Sequence, residues 1–162
     1  MSKTITVGIS DLNVVKAPDI LVTYALGSCV GICLYDANSR IAGLSHIMLP
    51  DSKQIVGGAA QSKKFADTGI VELLRDMEAM GAKRVFIKAK IAGGAQMFAA
   101  MSNSAIANIG SRNVVAVKAV LAGLRIPIVA EDTGKDYGRT LYFHAEDGTM
   151  QIKSGTKGEW TW

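Results

Sequence analysis

Short β-strand patterns occupy both ends of this chain, and two amphipathic helices lie between them. The strand segments alternate in polarity or are rich in β-branched and aromatic residues, and turn-forming residues separate them. They are predicted at residues 5–9, 21–25, 30–35, 41–48, 84–89, 126–131, 140–145 and 149–153. Strands around amphipathic helices favour an α+β fold, a layered sandwich of mixed β-sheet with flanking helices.

The helices are predicted from apolar residues that recur at intervals of three and four. The first covers residues 65–80 and ends at Gly81, and the second covers residues 113–122, with Ser111 as N-cap and Gly123 as its end. Residues 92–95, with sequence AGGA, are predicted as a loop that cannot be regular structure, because two glycines are adjacent there.

The chain has the length of one domain, so we assign residues 1–162 to a single domain and expect a flexible tail at 154–162. The most apolar stretch, residues 114–124, contains Lys118 and is too short to span a membrane. No cationic, continuously apolar leader begins the chain. These features predict a cytoplasmic protein without membrane insertion.

The net charge of +4 is spread over scattered cations, and only 6% of the residues are aromatic. Nucleic-acid modules usually carry a clustered basic face, so we expect no nucleic-acid partner. A weakly basic surface suits an acidic protein partner.

Cys29 lies in the sequence LGSCV between two predicted strands. Glycine permits a sharp bend there, and successive backbone N–H groups at a bend can form a hollow that binds an anion. A thiol in such a place could attack an acyl carbon. Free cysteines are more often buried and inert, so the local sequence leaves both interpretations open.

Two histidines are available to deprotonate a thiol, His46 in a predicted strand and His144 in the late hairpin. Thr23 could accept the ring N–H of His46 and fix its tautomer, although a threonine is also ordinary in a strand. Cys33 lies four residues after Cys29, about 13 Å along a strand, and is predicted to be a core residue. Two cysteines are too few for a four-thiolate metal site.

Four motifs together resemble the CheD family of chemoreceptor glutamine deamidases. They are LGSCVGICLYD (26–36), GLSHIMLP (43–50), KIAGGAQMF (90–98) and IGSRNV (109–114), followed by DTGKDYGRTLYFHAEDG (132–148). The resemblance implies that Cys29 is the nucleophile, His46 the base and Thr23 the third member of a triad. It also implies a fold similar to the catalytic domain of cytotoxic necrotizing factor toxins.

The implied reaction converts selected glutamine side chains of methyl-accepting chemoreceptors to glutamate and ammonia, through a thioester and with no metal or cofactor. The resemblance also implies binding to the phosphatase CheC, which is an expected partner. Two alternatives stay open: a binding module for CheC and receptors with little turnover, and a methylesterase acting on glutamate esters. Residues assigned to oxyanion or substrate binding are Gly27, Ser28, Gly93, Gly94, Arg112 and Asn113.

Overall fold

The computed structural model describes residues 2–96, 108–155 and 157–162. Within these ranges the strands are β1 (Thr4–Thr6), β2 (Asp11–Lys16), β3 (Ile20–Leu26), β4 (Val30–Asp36), β5 (Ile41–Ile47), β6 (Ile87–Gly93), β7 (Ile128–Thr133), β8 (Arg139–His144), β9 (Met150–Ser154) and β10 (Gly158–Thr161). The α-helices are α1 (Ala66–Ala79) and α2 (Ile109–Gly123). The last two residues of the KIAGGAQMF motif, Met97 and Phe98, lie outside the described residues.

Within the described residues the strands form two five-stranded sheets, which we call the first sheet (β1-β3-β8-β9-β10) and the second sheet (β2-β5-β4-β6-β7). Strand β1 runs parallel to β3, and β6 runs parallel to β7. The other pairs are antiparallel, so both sheets are mixed. The predicted α+β layered fold is confirmed.

The second sheet is the middle of three layers. On one face, residues such as Ile32 of β4 pack with Leu73 of α1 and Leu121 of α2 in one apolar core. On the other face, Cys33 packs with Leu141 of the first sheet in a second core. Because β4 is covered on both sides, it is a continuous apolar run rather than an alternating one.

Strand predictions near the middle and the start of the chain are wrong in their bounds: β1 ends at Thr6, so residues 7–9 of the predicted strand 5–9 lie outside it. Residues Arg84–Phe86 form a short 3-10 turn, and β6 begins only at Ile87. The strand then continues through Ala92 and Gly93, so the prediction that residues 92–95 contain no regular structure is wrong for those two residues. Strand β2 was not predicted, because its buried residues Leu12 and Val15 do not alternate with period two.

The predicted N-cap of the second helix is also wrong. Helix α2 begins at Ile109 with Asn108 at the N-cap position, so Ser111 lies inside the helix. The additional turn packs closely on the end of β6, since a Cβ on Gly110 would lie 2.2 Å from the Ala95 carbonyl oxygen. A prediction based on capping residues alone cannot include tertiary packing of this kind.

The structure places strand β10 inside the segment for which we predicted a flexible tail. It pairs antiparallel with β9 at the edge of the first sheet. Trp160 of β10 is partly buried and its Nε1–H donates to Asp132 Oδ2 at 2.6 Å. None of the described helices is long and apolar enough to cross a membrane.

Candidate active site

The segment that joins β3 to β4, residues 27–29, carries Cys29, and we call it the Cys29 loop. The end of β6 holds this loop from one side: Gly94 N–H donates to Cys29 O and Ala95 N–H donates to Gly27 O, both at 2.8 Å. Gly27 N–H donates to Ala25 O at 3.0 Å. Among the described residues, the N–H groups of Ser28 and Cys29 have no backbone acceptor.

A β-bulge precedes the Cys29 loop. The pairing of β3 with β8 shifts register between Thr23 and Leu26, and Ala25 within this interval has a φ of +59°. A non-glycine residue in the left-handed region costs about 1 kcal/mol or more. A bulge re-aims the chain that follows it, and here it turns the chain from the first sheet toward the second.

The Cys29 side chain is a half-buried free thiol. Burial raises the pKa of this thiol, and a hydrogen bond from its own backbone N–H offsets part of the shift. Cys33 is completely buried, which confirms its prediction as a core residue, and burial raises the pKa of its thiol strongly. Cys29 is therefore the accessible one of the two thiols.

His46 is completely buried and is held by Thr23 of the neighbouring sheet. Thr23 Oγ1 lies 2.7 Å from the Val7 carbonyl oxygen and 2.7 Å from His46 Nδ1. The hydroxyl has one hydrogen, and it must donate that hydrogen to the carbonyl, which can only accept. The hydroxyl therefore accepts from Nδ1–H, so neutral His46 carries its proton on Nδ1 and Nε2 has a free lone pair.

The environment also keeps this imidazole uncharged. Burial lowers the pKa of His46 to about 4. Nε2 is buried and has no hydrogen-bond partner in the described part of the chain. The ring thus presents an unprotonated nitrogen at neutral pH, as a general base requires.

Cys29 and His46 lie at the same end of the β4–β5 pair. Strands β4 and β5 pair Val30 with Ile47 and Gly31 with His46. Cys29 directly precedes Val30 and packs against the core between the two sheets, the side on which His46 meets Thr23. Within the described residues the thiol and the ring make no hydrogen bond, and such contacts commonly close only when substrate binds.

His144, the other candidate base, lies elsewhere. Its neighbour Phe143 faces the core, so His144 faces the outer side of the first sheet. Its Nε2 lies 3.3 Å from Gln151 Oε1 on β9. The structure brings His46, and not His144, to the side of the sheet that carries Cys29.

The two glycines predicted to bind the oxyanion or substrate allow other protein atoms to approach closely. Gly93 and Gly94 have φ angles of +109° and +65°. A Cβ on Gly93 would lie 2.3 Å from Cys29 O, and one on Gly94 would lie 2.2 Å from Val114 Cγ2. A side chain at either position would push the Cys29 loop or helix α2 out of place.

Arg112 and Asn113 lie near the start of α2 and differ in exposure. Arg112 is exposed, and its Nη2 lies 3.5 Å from Gln54 Oε1. Asn113 is completely buried, and its Nδ2 donates to Ser28 O at 3.0 Å and to Met48 O at 2.9 Å. Both of its amide hydrogens are thus used within the protein and are not free for a substrate.

A cavity of about 320 Å³ adjoins the end of β5, lined by Ser10 and residues 60–64. Ser10 N–H donates to His46 O, and Lys64 O accepts from Met48 N–H, so the backbone of the site forms part of this surface. Lys63 lies 4.0 Å from Asp11 and 3.9 Å from Glu72, distances typical of weak surface ion pairs. Among the described residues no cluster of three or more His, Cys, Asp or Glu side chains could hold a metal ion.

Two backbone groups of the site could not be predicted from any side-chain pattern. The Val7 carbonyl fixes the Thr23 hydroxyl, and the Ala95 N–H holds the Cys29 loop. Both are main-chain groups far from Cys29 along the chain, so only the fold identifies them.

Comparison with known proteins gives a family match. The family model described as CheD chemotactic sensory transduction matches residues 48–154. A protein of Lachnoclostridium phytofermentans named probable chemoreceptor glutamine deamidase CheD is 52% identical over 154 residues, 95% of each chain. One of the same name from Caldanaerobacter subterraneus is 54% identical over 94% of each chain. The chemoreceptor glutamine deamidase CheD of Halalkalibacterium halodurans is 48% identical over 98% of each chain.

Proposed function

Because this chain belongs to the CheD family, we propose that it is a protein-glutamine deamidase. It hydrolyses the side-chain amide of selected glutamines on methyl-accepting chemoreceptors and releases ammonia. Cys29 is the nucleophile, His46 is the general base, and Thr23 orients His46. The names of the relatives support the substrate, and the geometry supports the three residues.

The observation that carries the triad is the hydrogen-bond chain from His46 Nδ1–H to Thr23 Oγ1 and on to Val7 O. It fixes the tautomer in which Nε2 is free, on the face of the sheet that holds Cys29. Triads with a carboxylate as third member fix the histidine in the same way, but a hydroxyl adds no charge. This leaves the pKa of His46 low.

The reaction then proceeds in two halves. His46 Nε2 takes the Cys29 proton while Sγ forms a bond to the glutamine Cδ, and the amide C=O electrons move to oxygen. The tetrahedral intermediate collapses as His46 gives the proton to nitrogen, so the C–N bond breaks and ammonia leaves. Water, deprotonated by His46, attacks the thioester, and the Cys29 thiolate leaves and regains the proton.

The oxyanion of each tetrahedral intermediate binds at the Cys29 loop. The N–H groups of Ser28 and Cys29 have no backbone acceptor within the described residues, whereas the N–H groups of Gly27 and Gly94 already donate. Preorganised N–H donors stabilise a developing oxyanion without reorganisation. Of the residues predicted by sequence to bind the oxyanion, this proposal keeps Ser28, and it adds the N–H of Cys29, which in the resting site is hydrogen-bonded to its own thiol.

The substrate approaches across a weakly basic surface. Lys63 and Lys64 line the cavity beside β5, and Arg112 is exposed at the start of α2. We place the acidic signalling helix of a receptor over this region, where the three cations assist its encounter. Lys63 is the least effective of them, because two carboxylates lie near its Nζ.

The protein acts in the cytoplasm, where the signalling helices of receptors are found, and CheC is a second partner. The deciding experiment incubates the protein with cytoplasmic receptor fragments and measures ammonia release together with the intact mass of the fragments. Conversion of an amide to a carboxyl group supports the deamidase. Methanol release from methylated fragments would instead identify a methylesterase, and binding without either product would identify a docking module.

A further inference from the structure

The carboxamide of Asn113 joins the two segments that carry the proposed catalytic pair. Ser28, whose carbonyl it binds at 3.0 Å, directly precedes Cys29. Met48, whose carbonyl it binds at 2.9 Å, lies two residues after His46. Both acceptors are carbonyls, so the nitrogen of the amide must face them, and both of its hydrogens are used.

The hydrogen bonds of Asn113 lie where the β-ladder between β4 and β5 ends. The last ladder pair is Val30 with Ile47, directly beside the Cys29 loop. Beyond that pair, within the described residues, no strand pairing links the segment of Cys29 to the segment that follows His46, and the Asn113 amide takes the place of the next ladder hydrogen bonds. The separation of the two segments at this point is therefore set by two hydrogen bonds from one nitrogen, Asn113 Nδ2.

Helix α2, which carries Asn113, is itself packed against the Cys29 loop. The Asn113 amide therefore has a fixed position relative to the two segments that it joins. A Cβ on Gly110 would lie 2.2 Å from Ala95 O and 2.7 Å from Gly94 O, which shows how closely the first turn of α2 approaches the end of β6. Gly94 and Ala95 in turn bind the carbonyls of Cys29 and Gly27. All three carbonyls of the Cys29 loop are thus held by α2 and by the segment on which it packs.

The amide is buried at a cost. Asn113 is fully buried, and its Oδ1 has no hydrogen-bond partner in the part of the chain that the structure describes. A leucine, which has the same branched shape, would avoid the unpaired oxygen but would leave the carbonyls of Ser28 and Met48 without this donor. The two hydrogen bonds that Nδ2 donates are therefore the advantage of a polar side chain at this position.

We propose that Asn113 is a positioning residue that sets the separation between the Cys29 thiol and His46 Nε2 by tying Ser28 O to Met48 O. The inference rests on the proposed function, because it assigns those two groups to one proton transfer. It replaces the substrate-binding role predicted for Asn113 from sequence. Displacement of reacting groups by about 1 Å can cost on the order of 100-fold in rate, so Asn113→Ala should lower kcat by roughly that factor and change KM little.

The matched control is Leu121→Ala, a buried residue two turns further along the same helix, whose truncation destabilises the core without touching the loop. Thermal melting of both variants shows whether each is folded and how far each is destabilised. If Asn113→Ala does not fold, Asn113→Ser is assayed in its place, because the serine hydroxyl can still donate to one of the two carbonyls. Its kcat should lie between that of the parent and the background.

A second readout separates positioning from packing, namely the rate at which iodoacetamide alkylates Cys29. His46→Ala should slow this rate, and Asn113→Ala should slow it too, but the double variant should be no slower than His46→Ala alone, because the amide acts through the Cys29–His46 pair. Additive losses would overturn the proposal. So would a folded Asn113→Ala enzyme with kcat within about twofold of the parent, or an equal loss in Leu121→Ala.

The two readouts also keep the proposals distinct. A parent protein that releases no ammonia from receptor fragments refutes the proposed function. The alkylation series would still decide whether Asn113 sets the geometry of the pair.

Discussion

Replacement of Thr23 by valine removes one hydroxyl and little else, so it tests the central hydrogen-bond chain. Valine keeps the β-branched shape that the strand requires. The Val7 carbonyl loses its hydroxyl donor, and His46 Nδ1–H loses its acceptor. Each buried polar group left without a partner costs about 1–3 kcal/mol, so the fold should lose about 2–6 kcal/mol in all.

The effect on rate follows from the tautomer. Without Thr23 the imidazole can place its proton on Nε2 and can rotate, and either change removes the base that faces Cys29. Loss of the carboxylate in a serine protease triad, which imposes the wrong tautomer, lowers kcat about 10⁴-fold. A neutral hydroxyl orients the ring without stabilising an imidazolium, so Thr23→Val should lower kcat by about 10- to 1,000-fold.

Thr23→Ser is the matched control, because it keeps the hydroxyl and deletes only a methyl group. It should retain most of the parent kcat. Initial rates of ammonia release from a receptor fragment measure both variants, and thermal melting shows that they are folded. Folded Thr23→Val with parental kcat, or Thr23→Ser as impaired as Thr23→Val, would refute the role assigned to the hydroxyl.

The remaining predictions use the same assay. Cys29→Ala should abolish ammonia release and Cys33→Ala should not; equal loss in two folded variants would remove Cys29 from its role. His46→Ala should reduce kcat to near background, whereas His144→Ala should affect stability more than rate, and the reverse would move the base to the late hairpin. The pKa of His46 is 6.5 when unfolded and about 4 when folded, so the unfolded state binds more protons between these values. The free energy of unfolding should therefore fall by about 3 kcal/mol from pH 7 to pH 4, and urea titrations should show a smaller fall in His46→Gln. Finally, kcat/KM should fall as salt rises from about 50 to about 500 mM while kcat stays constant; a salt-independent kcat/KM would reject electrostatic steering.

Elements with a strong local pattern could be predicted from sequence, and those that depend on partners could not. The stripe of Ile70, Leu73 and Met77 fixes α1 almost to the residue. Strand β10 is short and polar, and only its pairing with β9 and the bond from Trp160 to Asp132 give it a place in the sheet. Propensity carries no information about such contacts, because they join residues that are distant in the chain.

The candidate site divides in the same way. The local sequences around Cys29 and His46 left each of them open to a structural interpretation, and four motifs in family order were needed to single them out. Thr23, His46 and Val7 meet only because β3 of one sheet faces β5 of the other. The bonds of Asn113 span 85 and 65 residues, so no spacing in the sequence could indicate them.

The resting charge state of the proposed Cys29–His46 pair follows from burial at both positions. Burial raises the pKa of the Cys29 thiol and lowers the pKa of His46 to about 4, so the pair is thiol and imidazole rather than thiolate and imidazolium. A neutral thiol is a weak nucleophile, which means that proton transfer must accompany attack on the amide. The same weak base becomes, once protonated, a strong acid toward the amide nitrogen, whose departure as ammonia needs a proton. Such a pair reacts only with a carbonyl that is already aligned with the thiol and the oxyanion donors, so selection among glutamines depends on how well the surrounding surface presents each one.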